Sequence, residues 1–130
     1  MKYSLKHLLG FLALCIAFLS CKESTDKTFP EGLLCEYISN PLGIDVVQPR
    51  LKWKINTTKE AYHQSAYQVL VGTDSSEIAK GNADMWDSGK ISSPDVIVTY
   101  GGKALQPFTR YYWTVHVWDQ EDQIRMEKAK

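Results

Sequence analysis

The sequence predicts an all-β protein, an antiparallel sandwich of short strands, on three observations. Apolar residues recur at every second position in several short blocks, turn-forming residues separate those blocks, and only residues 75–80 carry helical chemistry. Composition agrees: 130 residues with 44% hydrophobic and 12% aromatic side chains suit one folded unit of two layers around one core. Fifteen basic residues balance fifteen acidic ones. Nothing in that balance favours a nucleic-acid partner, because tracking phosphates needs a basic excess.

The first element is a leader. Residues 1–20, MKYSLKHLLGFLALCIAFLS, place two lysines and a histidine before an unbroken apolar run from Leu8 to Leu19. This is the layout of a secretory signal helix. A run of 12 residues falls short of the roughly 20 that a bilayer-spanning helix needs. Lys2 and Lys6 depart with the leader, so the remainder carries a small acidic excess.

Ser20 and Cys21 follow, then the polar stretch KESTDKTFPEG. The junction resembles a bacterial lipobox, with Phe18 and Leu19 standing where a leucine and a small residue are more usual. The resemblance implies cleavage before Cys21 and lipidation of its thiol and new amino terminus. Several acyl chains anchor a protein stably, at about 0.8 kcal/mol per buried CH₂. Lys22, Glu23 and Asp26 look like the export signal of surface lipoproteins in some Gram-negative bacteria. The expectation is an outer-membrane lipoprotein, on the periplasmic or cell-surface side, with residues 21–31 as a flexible tether and residues 32–130 as the folded module.

Within that module the candidate strands are 33–38, 50–55, 65–72, 85–91, 95–100 and 110–118, with an incipient seventh near 123–127. RLKWKI places Leu51, Trp53 and Ile55 on one face and Arg50, Lys52 and Lys54 on the other. QSAYQVLVG alternates Tyr67, Val69 and Val71 with Ala66, Gln68 and Leu70. RYYWTVHVW puts Tyr111, Trp113, Val115 and Val117 opposite Tyr112, Thr114, His116 and Trp118. Turns fall at Asn40-Pro41-Leu42-Gly43, Gly72-Thr73-Asp74, Gly81-Asn82, Ser92-Ser93-Pro94 and Gly101-Gly102.

LQPFTRYYW spaces Leu105, Pro107, Thr109 and Tyr111 as in a tyrosine corner, where a strand-start tyrosine bonds backbone a few residues upstream. The sandwich is thereby expected to be immunoglobulin-like, of the fibronectin type III variety, which needs no disulfide. Cysteine usage agrees, since Cys35 stands alone after Cys21. In the apolar LLCEYI it reads as a small buried hydrophobe rather than a nucleophile. With only His63 and His116 beyond the leader, no metal site and no cofactor are expected.

Five blocks in order, LLCEYISNPLGID (33–45), QPRLKW (48–53), QSAYQVLVGTD (64–74), MWDSGKI (85–91) and YGGKALQPFTRYYWTVHVWD (100–119), resemble the N-terminal immunoglobulin-like module of bacterial α-L-rhamnosidases. These are inverting glycoside hydrolases of family 78 that release terminal L-rhamnose. The resemblance places catalytic acids in an (α/α)₆ barrel far downstream, so it implies no catalytic residue here. An inverting glycosidase holds two carboxylates roughly 6.5–9.5 Å apart; the aspartates of this chain, among them Asp45, Asp74, Asp84, Asp87 and Asp119, fall mostly in turns or at strand ends, where Asp bonds local backbone.

The module is expected to be spacer and docking surface for the downstream catalytic domains, with most of its last strand missing in a truncated chain. Trp53 and Trp113 fall to the core. Trp86, Tyr112 and Trp118 are the candidate surface aromatics, Trp86 more as a ring closing one end of the sandwich. Aromatics on a face could instead stack on sugars, as in a stand-alone carbohydrate-binding lipoprotein.

Overall fold

The computed structural model describes residues 27–126; the expected leader, Cys21 and most of the tether lie outside them. Eight strands and one short helix follow in order: β1 (Phe29–Cys35), β2 (Arg50–Asn56), β3 (Gln64–Gly72), α1 (Ser75–Ala79), β4 (Trp86–Asp87), β5 (Ile91–Ser92), β6 (Ile97–Thr99), β7 (Tyr112–Asp119) and β8 (Ile124–Met126). One sheet runs β1-β2-β6; the other runs β4-β3-β7-β8, with β5 also on β3. All pairings are antiparallel.

The two sheets close over Leu51, Trp53, Tyr67, Val69, Val71, Tyr100, Val115 and Val117, all buried, with Cys35 at the margin. Trp53 has no exposed surface. Its ring lies tilted against Tyr67, centroids 5.2 Å apart, and its Nε1–H donates to Gln64 Oε1 at 3.1 Å. Gln64 Nε2 in turn donates to the Ser93 and Asp95 carbonyls, so the polar groups buried here are mutually satisfied.

Several boundaries differ from the sequence expectation. β1 begins at Phe29, so residues 29–31 belong to the sandwich rather than to a 21–31 tether. Pro30 is fully buried, and the Thr28 and Thr57 hydroxyls bond at 2.7 Å; the polar composition around this segment masks those contacts. Residues 36–38, expected in the first strand, form a turn. The single strand expected over 85–91 is two two-residue strands, because Gly89 at φ +65° turns the chain between them. Its helical neighbour is close to expectation: Asp74 caps Ser75–Ala79 by accepting from the Ser76 and Glu77 N–H groups, and Lys80 is the C-cap.

The strands define two ends. β1 ends beside the start of β2, since Cys35 pairs with Leu51. The Tyr100 N–H bonds the Pro49 carbonyl at 2.9 Å and the Lys103 N–H bonds Met85. Gly72 at the end of β3 faces Tyr112 at the start of β7. The loops 36–49 and 100–111 therefore share one end. At the other end, β1 begins opposite Asn56, and Lys59 pairs with Glu121 and Asp119 in the β7–β8 hairpin. β8 runs from that end back toward the first, as Ile124 pairs with Trp118 and Met126 with His116.

Candidate functional site

The outer face of the larger sheet carries two of the three expected surface aromatics. Cross-strand register lays Trp118, His116, Thr114 and Tyr112 of β7 beside Ala66, Gln68, Leu70 and Gly72 of β3. α1 closes one end of this face through Ile78; a Cβ on Gly72 would stand 2.9 Å from the Ile78 side chain and 2.6 Å from Asp84 Oδ1. Leu70 is consequently buried at 1% exposure. Tyr112 and Trp118 are half-buried, and Lys90 Nζ sits 4.8 Å from the centre of the Trp118 indole, a cation–π contact. Burial holds the His116 imidazole below its ordinary pKa, against the opposing pull of the Asp87 charge.

Trp86 does not join them. It pairs with Val71, whose neighbour across the sheet is Trp113, and so lies on the inner side, half-buried against the core. Its ring meets Tyr100 edge-on, centroids 5.3 Å apart. Gly102 packs beneath: an added Cβ would fall on Trp86 Cβ, 2.5 Å from the Met85 carbonyl and 2.6 Å from the Tyr100 hydroxyl. Since period-2 alternation breaks between β3 and β4, no sequence rule relates the face of Trp86 to that of Trp118.

Tyr111 Oη accepts the Gln106 N–H at 2.8 Å, and Leu105 packs half-buried on the core. This hydrogen bond ties the 100–111 loop to the start of β7. Cys35 is buried and its thiol pKa is raised, by burial and then by the Glu36 charge; neither effect favours a thiolate.

The carboxylates hold local structure. Asp74 caps α1, and hydrogen bonds from Ser76 and Glu77 keep its pKa low. Asp84 accepts from the Thr73 N–H and hydroxyl at 2.9 and 2.6 Å. Asp87 takes Gln68 Nε2 and the Gly89 N–H. Asp119 has no exposed surface: its Oδ1 accepts the Glu121 and Gln123 N–H groups, each at 2.9 Å, while Oδ2 faces Lys59 at 3.9 Å and Arg125 at 3.7 Å. Burial alone would raise its pKa, and the two backbone bonds and two cations outweigh it, leaving it lowered. A shallow depression beside α1, of about 540 Å³, is lined by Thr73, Asp74, Glu77, Asn82 and Asp84 among others, acids already bonded to their neighbours. Among the described residues no three His, Cys, Asp or Glu side chains gather to hold a metal ion.

A surface that sequence reasoning passed over lies in the 36–49 loop, read there as turn chemistry around Asn40-Pro41-Leu42-Gly43. Tyr37, Ile38, Leu42, Ile44, Val46 and Val47 are all exposed. Its signal was in view: six large apolar residues in an eleven-residue stretch with one charge, Asp45, and no alternation to place them in a core.

A three-stranded sheet closed on a five-stranded one, with a strand-start tyrosine bonded to its own loop and no disulfide among the described residues, defines an immunoglobulin-like β-sandwich module. The chain belongs to the family described as "Rha78A-like, N-terminal immunoglobulin domain", which matches residues 30–129. It is 39% identical over 128 residues to an α-L-rhamnosidase of Formosa agariphila, covering 95% of this chain and 13% of that protein. Against an α-L-rhamnosidase of Streptomyces avermitilis it is 45% identical over 87 residues, 66% of this chain and 8% of that one. The solved α-L-rhamnosidase from Dictyoglumus thermophilum superposes with a TM-score of 0.74 at 37% identity, covering 77% of this chain and 11% of that chain. The Streptomyces avermitilis α-L-rhamnosidase complexed with L-rhamnose gives 0.71 at 38% identity, with 75% and 9% covered. The chain thus spans between 8% and 13% of the length of the relatives it matches.

Proposed function

We propose that this chain is the non-catalytic N-terminal module of a secreted, lipid-anchored α-L-rhamnosidase, acting as spacer and docking surface for the catalytic domains. One observation carries the reading: an N-terminal domain family covers residues 30–129, and the relatives named α-L-rhamnosidase are roughly eight times as long as this chain. The engagement of Asp74, Asp84, Asp87 and Asp119 in a cap, turns and a buried ion cluster supports it, since even Asp74 and Asp84, which line the depression beside α1, are bonded to their own neighbours. Lipidation at Cys21 supplies the anchor. The test expresses the 130-residue chain in a Gram-negative host. No hydrolysis of an aryl α-L-rhamnoside, and a diacylglyceryl mass on Cys21, are expected; turnover by this chain would overturn the non-catalytic reading, and an unmodified Cys21 the anchor.

A second reading, carbohydrate binding through Tyr112 and Trp118, is less favoured by the geometry. Lys90 occupies a face of the Trp118 ring where a sugar would stack. Saturable heat on titration with rhamnose-containing oligosaccharides would favour it.

A further inference from the structure

We infer that the loop end of the sandwich, built from residues 36–49 and the Phe108 loop, is the surface on which this module seats against the apolar surface of the polypeptide that follows it in α-L-rhamnosidases. This rests on the function proposed above and replaces the Tyr112 and Trp118 face as its contact.

Seven of the ten exposed large apolar side chains among the described residues lie at this end. Leu42 and Phe108 are as open as in a free peptide, at 106% and 110% exposure, and Val47 is 75% exposed. A concentration of exposed apolar side chains at one end marks a contact surface. The loop is anchored at its root. Glu36 accepts from the Arg50 N–H at 2.5 Å and from Nη2 at 2.9 Å, and the Arg50 guanidinium lies 4.8 Å from the Tyr37 ring centre. Cys35 and Ile38 exchange both backbone hydrogen bonds across Glu36 and Tyr37, which stand at φ +48° and +65°. Two positive φ values in a two-residue turn suit Asn-Gly, not Glu-Tyr. Phe108 also sits at φ +58°. The fold therefore holds Phe108 fully exposed, and Tyr37 half-exposed beside Arg50, in backbone that such residues rarely adopt.

Chain direction selects the occupant. β1 enters the sandwich at the opposite end, so a tether to a lipid anchor leaves from there and the apolar loops face away from it. β8 heads toward the apolar end, so a polypeptide continuing in its direction emerges beside these loops. Asp45 is the one charge between Tyr37 and Pro49, which calls for an apolar surface rather than a charged one.

The test exchanges the aligned module of the Formosa agariphila α-L-rhamnosidase for residues 30–129 of this chain, with and without Leu42→Ser, Val47→Ser and Phe108→Ser together. Limited proteolysis at the junction is expected to quicken about tenfold or more in the triple variant, a coupling of about 1.4 kcal/mol. Ile124→Ser with Met126→Ser, on the outer face, is expected to leave it unchanged. Equal cleavage in the triple variant and its parent, or acceleration by the outer-face pair, overturns the proposal while leaving an inactive, lipidated module intact. A second measurement covers a swap that does not fold: the Formosa agariphila enzyme lacking its aligned module should be retained by the immobilised 130-residue chain and not by its triple variant. Failure of the parent chain to retain it overturns the proposal. So does a dimer of the 130-residue chain, or its binding to phosphatidylethanolamine and phosphatidylglycerol vesicles, if either is abolished by the triple substitution.

Discussion

Replacing Asp119 by asparagine removes a charge from a side chain that solvent does not reach, while keeping its shape and one carbonyl oxygen. That oxygen still accepts the Glu121 and Gln123 N–H groups that set the β7–β8 hairpin, but a neutral acceptor is weaker than a carboxylate by about 1 kcal/mol per bond. Lys59 and Arg125, 24% and 27% exposed, lose a partner at 3.9 and 3.7 Å and recover part of the loss from water. The sum is a loss of about 2–3 kcal/mol. With a urea slope of about 1–3 kcal/mol/M for a small domain, the midpoint followed by tryptophan fluorescence falls by about 0.7–3 M. The pH dependence is a second check. The folded pKa of Asp119 is lowered, so its contribution is complete above the unfolded value near 3.9 and drains as pH falls through the folded value. The gap between parent and variant therefore narrows below about pH 4. A variant within about 0.5 kcal/mol of the parent at pH 7, or a gap unchanged at pH 3, would refute the assignment of this carboxylate as a buried, charged brace.

Gly102→Ala forces a methyl group against the Met85 carbonyl and Tyr100 hydroxyl, and is expected to cost about 1–3 kcal/mol in urea melts and to disturb the near-ultraviolet circular dichroism of Trp86. Tyr111→Phe deletes the bond to the Gln106 N–H and should cost about 0.5–1.5 kcal/mol, with faster amide exchange at Gln106 as the specific sign. His116 is held neutral by burial, so its folded pKa lies below the unfolded value near 6.5. Stability is complete above that value and declines as pH drops below it; His116→Gln should flatten the slope of stability against pH there, and an unchanged slope would count against the burial.

How much was legible varies with the range of the forces involved. Period-2 alternation placed Leu51, Trp53, Val69, Val115 and Val117 correctly in the core, because a strand has only two faces and one must be dry. The helical turn over residues 75–80 and the tyrosine at the start of β7 were equally legible, each depending on partners within five residues. The Trp86 side was not, since it depends on how β4 pairs with β3 after a helix and two turns. Asp119 looked like one strand-end aspartate among several; its burial arises from Lys59 and Arg125, sixty residues and six residues away.

By itself the sequence determined an antiparallel sandwich of a kind that needs no disulfide, and the family to which it belongs. These follow from local periodicity, turn chemistry and the order of short blocks, all written along the chain. Only the tertiary structure decided that the first strand begins at Phe29, that Trp86 and Trp118 lie on different sides, and that two loops sixty residues apart gather exposed apolar side chains at one end. Each of these depends on which strands become neighbours, and pairing between distant strands is set by burial of the whole core rather than by any one segment.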